Sequence, residues 1–466
     1  MQPRSYLRLK NSVRIKKYTG FCVAMDVVSG NQKYISPLMG FILALCDGTK
    51  RTEDIIYILS KLLNKEAGQI EEGIDKKIND LLPFIDMSGD EFRQPTRYKP
   101  ENFIFNYNNY SYDSARGKAL LPLKTPTVMT IALTNRCNFE CIYCFKSSGR
   151  GYKCTDELGT EEWIDVIRQA KELDILKCNV TGGEPILHPG FFEIIERLTE
   201  ADIFPYISTN GSLITRAYAS RLSGLGIGIM QISLDAPCAD IHHKMSRSAD
   251  TFDKVIDGIR YLREANVIVR VKSVITPLNY KETGRLIDLC ASLGVSSITL
   301  DKFNPGYGGR GANELILDSQ MAEYTGKCIE QKTAQYNDSI LIYSGLKSLS
   351  WKDESDITAC GGLYSAFAIQ PNGNMAVCEQ LDLDELTLGN VREQPIAEMW
   401  GSDKAINILN PDPSRFIEPC RSCEYLGKCR TGCFSHTLLY DKNLYAPDPS
   451  CWKIHLDKNP LNPIQI

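Results

Sequence analysis

The chain has 466 residues, 43% of them hydrophobic and 24% charged, with a formal net charge of −4, the proportions of a globular protein long enough for two or three domains. That charge excludes a global pull toward nucleic acid or an anionic membrane, and no apolar run approaches a bilayer span. The longest near the N-terminus, Met39 to Cys46, is shorter than a signal-peptide core, so a cytoplasmic chain with nothing removed from its start is expected, and in a reducing cytosol 17 cysteines point to metal rather than disulfides.

Residues 1–90 carry short β-like runs at Ser12–Lys17, Phe21–Val28 and Gln32–Ile35, broken at Tyr18-Thr19-Gly20 and Ser29-Gly30-Asn31. Helical patterns follow around 38–47, 52–63 and 68–83, which predicts a small hairpin sheet plus three helices. From Met87 the chain turns polar and rich in Tyr and Asn, with Asn106–Tyr110 at the centre, and 91–126 reads as a linker.

Residues 127–335 alternate strand and helix patterns, the mark of an α/β parallel sheet. Strands are expected at 127–134, 176–181, 203–209, 228–234, 267–275 and 297–303, with helices at 160–173, 189–201, 215–223, 251–265 and 281–293. Six such units predict a partial (β/α)6 TIM barrel, whose chemistry gathers where strands end. In 336–466, and above all beyond Cys360, turn residues and cysteines displace regular periodicity, so metal is expected to hold this segment together.

The first of these strands runs into a C-x3-C-x2-C loop, Cys137, Cys141 and Cys144. Three thiolates hold three corners of a cubane cluster and leave one iron open, whereas zinc sites close with four ligands and no further Cys or His lies nearby. This loop resembles the cluster-binding motif of the radical S-adenosylmethionine (SAM) superfamily, in which SAM chelates the open iron. The strand ends that follow resemble the family in order. Thr181-Gly182-Gly183-Glu184-Pro185 is similar to its glycine-rich motif, which implies that backbone and Glu184 receive the SAM amino group. Thr209-Asn210-Gly211 and Ser233-Leu234-Asp235 resemble positions that contact SAM and its ribose hydroxyls, with Asn210, Ser233 and Asp235 as the contacts, and Tyr143 is placed near the adenine. Alone, each is also a plain turn or cap; the order is what carries the resemblance. It implies one-electron cleavage of SAM to methionine and a 5'-deoxyadenosyl radical that removes hydrogen from an unactivated carbon, with a reductant such as ferredoxin or flavodoxin.

A second set comprises Cys360, Gly373-x4-Cys378, Cys420-x2-Cys423-x5-Cys429-x3-Cys433 and Cys451, and it resembles the SPASM-domain signature. The resemblance implies two auxiliary 4Fe-4S clusters, one on Cys360, Cys378 and Cys433 and the other on Cys420, Cys423, Cys429 and Cys451. A zinc ribbon over Cys420–Cys433 would leave three of these cysteines idle. Many relatives have an eighth cysteine soon after the first; 361–377 contains none, so one iron is open or takes a noncysteine ligand. Of the others, Cys46, Cys178 and Cys290 read as small buried hydrophobes, Cys154 and Cys238 lie in loops at the expected active face, and Cys22 and Cys328 receive no role.

The N-terminal arrangement resembles the winged-helix-like, PqqD-like recognition domain of enzymes that mature ribosomally made peptides. In that family a leader peptide adds as a strand to a sheet edge, here beside Gln32–Ile35 and the third helix. A DNA-binding winged helix shares these elements, and Arg4, Arg8, Lys10, Arg14, Lys16 and Lys17 suit phosphate or an acidic leader alike. Glu53, Asp54, Glu66, Glu71, Glu72, Asp75 and Asp80 leave no continuous basic recognition helix, which favours peptide. The expected protein is therefore a SPASM-type radical SAM peptide maturase, similar to sactipeptide and ranthipeptide thioether synthases, that installs a Cys thioether in a precursor peptide. Carbon-carbon cross-linking, epimerisation, sulfatase maturation and a nonenzymatic metal-stabilised DNA-binding regulator are the alternatives.

Overall fold

Short strands bounded by turn residues open the chain: β1 (Tyr6–Leu9), β2 (Val13–Tyr18), β3 (Phe21–Asp26) and β4 (Gln32–Ile35) lead into α1 (Pro37–Leu45), β5 (Asp47–Arg51), α2 (Thr52–Leu63), α3 (Ala67–Leu81) and β6 (Ile85–Ser88). The structure, a computed structural model, describes residues 5–18, 21–63, 65–91, 98–103, 123–146, 148–149, 156–303, 313–337, 339–345, 360–381, 383–449 and 451. Two units divide the chain, residues 1–118 and 119–466.

In the first unit β2, β3 and β4 form the expected antiparallel sheet. A second sheet, β5-β1-β6, was not expected, because β1 is four residues long and finds its partners far along the chain, Tyr6 opposite Arg51 and Ser88. Ser36 starts α1, its hydroxyl accepting the Met39 N–H with Pro37 in the first turn, and the helix is apolar on nearly every side because it lies within the core. In α3 the buried positions Ile70, Ile74, Ile78 and Leu81 form a single stripe on this core. The segment expected to be a linker is in part packed here. Phe103 joins the core, the Tyr98 hydroxyl accepts the Ile15 N–H at 2.8 Å, and Lys17 donates to the Asn102 carbonyl at 2.6 Å. Asn106–Tyr110 lies outside the described residues.

The second unit is built on parallel strands β7 (Val128–Ala132), β8 (Lys177–Thr181), β9 (Phe204–Thr209), β10 (Ile229–Ser233), β11 (Ile268–Ile275) and β12 (Ser297–Lys302), hydrogen-bonded in chain order. Between them lie α4 (Thr160–Glu172), α5 (Phe191–Glu200), α6 (Arg216–Gly224), α7 (Ala239–Ser246), α8 (Phe252–Glu264) and α9 (Thr283–Ser292). One pleat of each strand joins the apolar stripes of the helices in one core, while alternate positions such as Asn179, Gln231, Lys272 and Asp301 are not part of it. Of these helices only α7, eight residues long, was not expected.

After α10 (Ser319–Tyr336), β13 (Leu341–Ser344) adds to β12 in parallel, and β14 (Ala366–Ile369) adds to β7 at the other edge, also in parallel. β15 (Asn374–Ala376) and β16 (Thr387–Asn390) follow antiparallel, completing a ten-stranded sheet. The C-terminal segment is thus less irregular than its composition suggests, since strands of three or four residues are too short to show a period.

Candidate cluster and cofactor site

The cysteine loop follows β7 and is fastened on several sides. Phe139 is buried edge-on against His242 of α7, at 6.2 Å between centroids, and the N–H groups of Glu140 and Ile142 donate to the carbonyls of Ser246 and Met245. Ahead of the loop, the Glu157 carboxylate accepts the Thr134 hydroxyl at 2.7 Å and the Asn135 N–H at 2.6 Å. The thiols of Cys137, Cys141 and Cys144 are close enough to feel one another's charge. Burial, then the neighbouring Glu184 and Cys144, pushes Cys137 up to about 12 against the donors Phe139 N–H and Asn210; burial, Asp235 and the other two thiols hold Cys141 well above a free thiol.

The two glycines after β8 are demanded by close approach. Gly182 has φ +148° and a side chain there would meet the Thr134 carbonyl; a Cβ on Gly183 would stand 2.3 Å from the Arg136 carbonyl oxygen. In their place the backbone donates, Gly183 N–H to Thr134 at 2.6 Å and Glu184 N–H to Arg136 at 2.8 Å. Glu184 is fully buried and its carboxylate accepts three donors: the Thr209 hydroxyl at 2.6 Å, the Asn210 N–H at 2.8 Å and the Ile186 N–H at 3.3 Å. Burial still pushes it up to about 7. The Asn210 amide donates to Asn138 of the cysteine loop at 2.8 Å. Tyr143 donates its phenol to Asp235 at 2.6 Å, and Asp235, which also accepts the Val274 N–H, is raised by burial to about 6. Ser233 ends β10 opposite Lys272. The residues expected from the glycine-rich, Asn-Gly and Ser-Leu-Asp motifs thus stand at successive strand ends, and hydrogen bonds link Asn210 and, through Tyr143, Asp235 to the cysteine loop.

The C-terminal cysteines fall into two electrostatic sets. Burial and then the charges of Glu379, Cys360 and Cys433 raise Cys378; Cys360 is pushed to about 11 by burial, with Cys433 and Glu379 contributing and the N–H groups of Gly362 and Phe434 opposing. Separately, Cys420 and Cys429 are each pushed to about 12 by burial and then by Cys451 and their companions, Cys423 among them. Among the described residues no disulfide forms, and no three His, Cys, Asp or Glu side chains close on a point that holds a single metal ion. Four ligands around zinc stand tightly about one atom at about 2.3 Å, whereas the irons of a cluster lie apart and spread their thiolates. The donors nevertheless fit a multi-iron group: burial and crowding hold the protons on these thiols, and cationic iron relieves that strain as it displaces the protons.

Several contributing residues carry no sequence signal. Glu157 lies outside any motif. Gln370, buried after β14, accepts the Lys146 ammonium at 2.9 Å and donates to the carbonyls of Cys378 and Glu379, tying the first cysteine loop to the next set. Asp448, also buried, accepts the Cys433 N–H at 2.9 Å and pairs with His436 at 3.2 Å. Cys46, Cys178 and Cys290 are buried as expected, Cys22 likewise; Cys238 is half-buried at the start of α7, and Cys154 lies outside the described residues.

A parallel α/β sheet with three thiols after its first strand and two further thiol sets beyond defines an iron-sulfur enzyme. Residues 131–290 match the Radical SAM superfamily and residues 360–424 match SPASM, an iron-sulfur cluster-binding domain, so the chain carries a radical SAM domain and a SPASM domain, and SAM and 4Fe-4S clusters are its cofactors. Among curated proteins it is similar to the mycofactocin maturase MftC of Mycobacterium tuberculosis, 26% identical over 340 residues that cover 72% of this chain and 84% of that one. The PqqA peptide cyclase of Granulibacter bethesdensis is 24% identical over 332 residues, 71% of this chain and 88% of that one. Streptococcus suis SuiB bound to the precursor peptide SuiA shares the fold across 95% of this chain and 98% of that one, with a TM-score of 0.69 at 17% identity.

Proposed function

We propose that this protein is a peptide maturase that recognises the leader of a ribosomally made precursor and installs a cross-link, a Cys thioether, in it. The observation that carries the reading is the likeness, over 95% of the chain, to SuiB bound to its precursor peptide SuiA, a likeness that takes in the N-terminal unit as well as the sheet and the cysteine-rich segment. The six strand-helix units are read as a partial (β/α)6 barrel and residues 1–90 as the PqqD-like, winged-helix-like leader domain.

In this reading Cys137, Cys141 and Cys144 hold the SAM-binding cluster; Cys360, Cys378 and Cys433 hold one auxiliary cluster; Cys420, Cys423, Cys429 and Cys451 hold the other. When bound, the first cluster and SAM supply one-electron cleavage and hydrogen abstraction, with ferredoxin or flavodoxin as reductant in the cytoplasm. The chain's own residues bind and orient. Gly182 and Gly183 bring backbone N–H groups against the cysteine loop, Glu184 locks β8 to the end of β9, and Asp235 with Tyr143 fastens the loop to β10 and β11. The first auxiliary set is one thiol short of eight-cysteine relatives, and a soft-ligand site lacking a sulfur favours a cysteine-containing substrate over carbon-carbon linkage or epimerisation.

Peptide is favoured over DNA because the basic residues of the first strands are engaged at home. Arg8 pairs with Asp86 at 2.7 Å, Lys10 donates to Pro83, Lys17 to Asn102, and Lys16 is buried. The edge strand β4 is fixed beside the end of α3 by Lys33, which donates to the Asp80 carbonyl at 3.1 Å. The test is to seek a short cysteine-containing reading frame beside this gene and to analyse its peptide by mass spectrometry after anaerobic reaction: loss of a hydrogen pair and of one alkylatable thiol per link is expected. A linked product that keeps all its thiols alkylatable makes it a carbon-carbon cross-linker instead.

A further inference from the structure

Along β7 to β12 the side chains that alternate with the helix-facing core lie on the opposite face of the sheet. They put three cations there, Lys177, Arg270 and Lys272, against one carboxylate, Asp301. In a chain of net charge −4 this face is locally basic. The carboxylate is already taken, since Asp301 pairs with Lys272 at 2.9 Å. Lys177 lies over the Tyr206 ring, 4.4 Å from its centroid. The amide beside Arg270 is engaged as well: Gln231, its register partner on β10, accepts the Tyr206 hydroxyl at 3.3 Å and donates to Ser208 at 3.2 Å.

Arg270 is left over. Its Nε is wholly buried with no acceptor, and among the described residues no hydrogen bond or ion pair engages its guanidinium. On its other flank β12 offers Ser297, which carries no charge. A half-buried cation without an anion is destabilised, and a planar guanidinium is completed by a carboxylate, which takes two of its N–H groups at once. The sheet around it is open: Ile268, one pleat below on β11, and Leu341, opposite Ser297 on β13, are exposed apolar side chains.

The place of Arg270 along the strand says where such a carboxylate comes from. Lys272 stands opposite Ser233, the expected SAM contact at the end of β10, and Arg270 lies one pleat deeper, about 7 Å along the strand. An extended peptide covers that depth in about two residues. We propose that Arg270 binds a carboxylate of the substrate peptide, about two residues from the one that loses hydrogen, and so selects acidic segments for modification. This rests on the peptide-maturase reading above and adds a specificity-determining residue to it.

The test is calorimetric titration of the full chain, reconstituted anaerobically with iron and saturated with SAM, against three synthetic pentapeptides. The first is capped at both ends and carries a cysteine and, two residues later, a glutamate. The second has glutamine in place of the glutamate, and the third is the glutamine peptide with a free C-terminal carboxylate. Wild type should bind the glutamate peptide at least about ten-fold tighter than the capped glutamine peptide. Tightening of the third peptide instead assigns the contact to a terminal carboxylate rather than an acidic side chain. Arg270→Gln, with its iron per chain measured to show that it folds, should bring all three within about two-fold of one another. The wild-type comparison decides by itself if that variant loses its iron. Equal affinity of wild type for all three, a preference that survives in Arg270→Gln, or weakened binding of SAM alone by that variant overturns the proposal. Equal binding of all three leaves the peptide reading standing, whereas binding of none sinks both. Without reductant no product forms, so a failure of the thioether reading shows separately, in product mass.

Discussion

Both ring nitrogens of His242 are buried without a hydrogen-bond partner, and the ring packs edge-on to Phe139 of the cysteine loop and Phe252. Burial first, and His243 second, hold its pKa down at about 4, below the ordinary value near 6.5. The folded state therefore accommodates only the neutral ring, so stability is full above pH 6.5 and is lost as pH falls toward 4. At pH 5 the loss amounts to about 2 kcal/mol. Replacing His242 with Leu should remove it, so that urea midpoints at pH 5 and pH 7.5 lie closer together than in wild type; an unchanged gap would mean that the acid sensitivity resides elsewhere. Gly183 tests the site by space rather than charge. In Gly183→Ala the new methyl meets backbone on the facing loop, which cannot swing away, and the variant should lose about four irons per chain together with SAM cleavage. Gly224→Ala, with nothing within 4 Å, is the control that should keep both. The need for Gly183 was legible as a motif, whereas the burden of His242 was not, since a His followed by His243 and Lys244 on a short helix looks like surface.

At the level of elements, legibility followed length and local pairing. β7 to β12 and the helices between them were readable because each carries its own period and its neighbour in space is its neighbour in sequence. β14 offers four apolar residues with no alternation and joins β7 across some 238 residues, where Thr127 bonds to Ser365, so nothing local announces it. β1 failed for the same reason. The ten cysteines expected to hold clusters stand out as spacings, but what braces them does not: Gln370 lies just past β14 and gains its contacts only through that long-range pairing. Gln370→Ala would take one donor from each of the half-buried carbonyls of Cys378 and Glu379, the first of which keeps the Leu381 N–H, and one acceptor from Lys146, at a cost of about 1 kcal/mol per bond lost. The loops holding Cys144 and Cys378 should then yield their iron several-fold faster to a chelator; equal rates would show that the bridge braces neither.

For the molecule as a whole, the separation into 1–118 and 119–466 sets how a division of labour should be tested. Each unit has its own hydrophobic core, the first closed by Phe103 with Tyr98 packed against it, the second by strands and helices that share one apolar layer. A cut after residue 90, where the sequence pattern fades, strips Tyr98 and Phe103 from the first core and leaves an ambiguous result. A chain of 119–466 should instead keep reductive SAM cleavage at a rate within about two-fold of the full protein, because the expected SAM contacts and all ten cysteines proposed as cluster ligands lie within it. It should lose at least ten-fold in affinity for the full precursor while losing little for a leaderless core peptide, because the proposed reading has the leader add as an edge strand to the sheet of the first unit. Within the full chain, Cys137→Ala, Cys141→Ala and Cys144→Ala together should abolish SAM cleavage. Cys420→Ala with Cys423→Ala should spare much of it while ending peptide modification, because the two sets are electrostatically separate. Undiminished precursor binding by 119–466 would remove the leader role from the first unit, and tight, salt-sensitive binding of duplex DNA by 1–118 would assign that unit to nucleic acid instead.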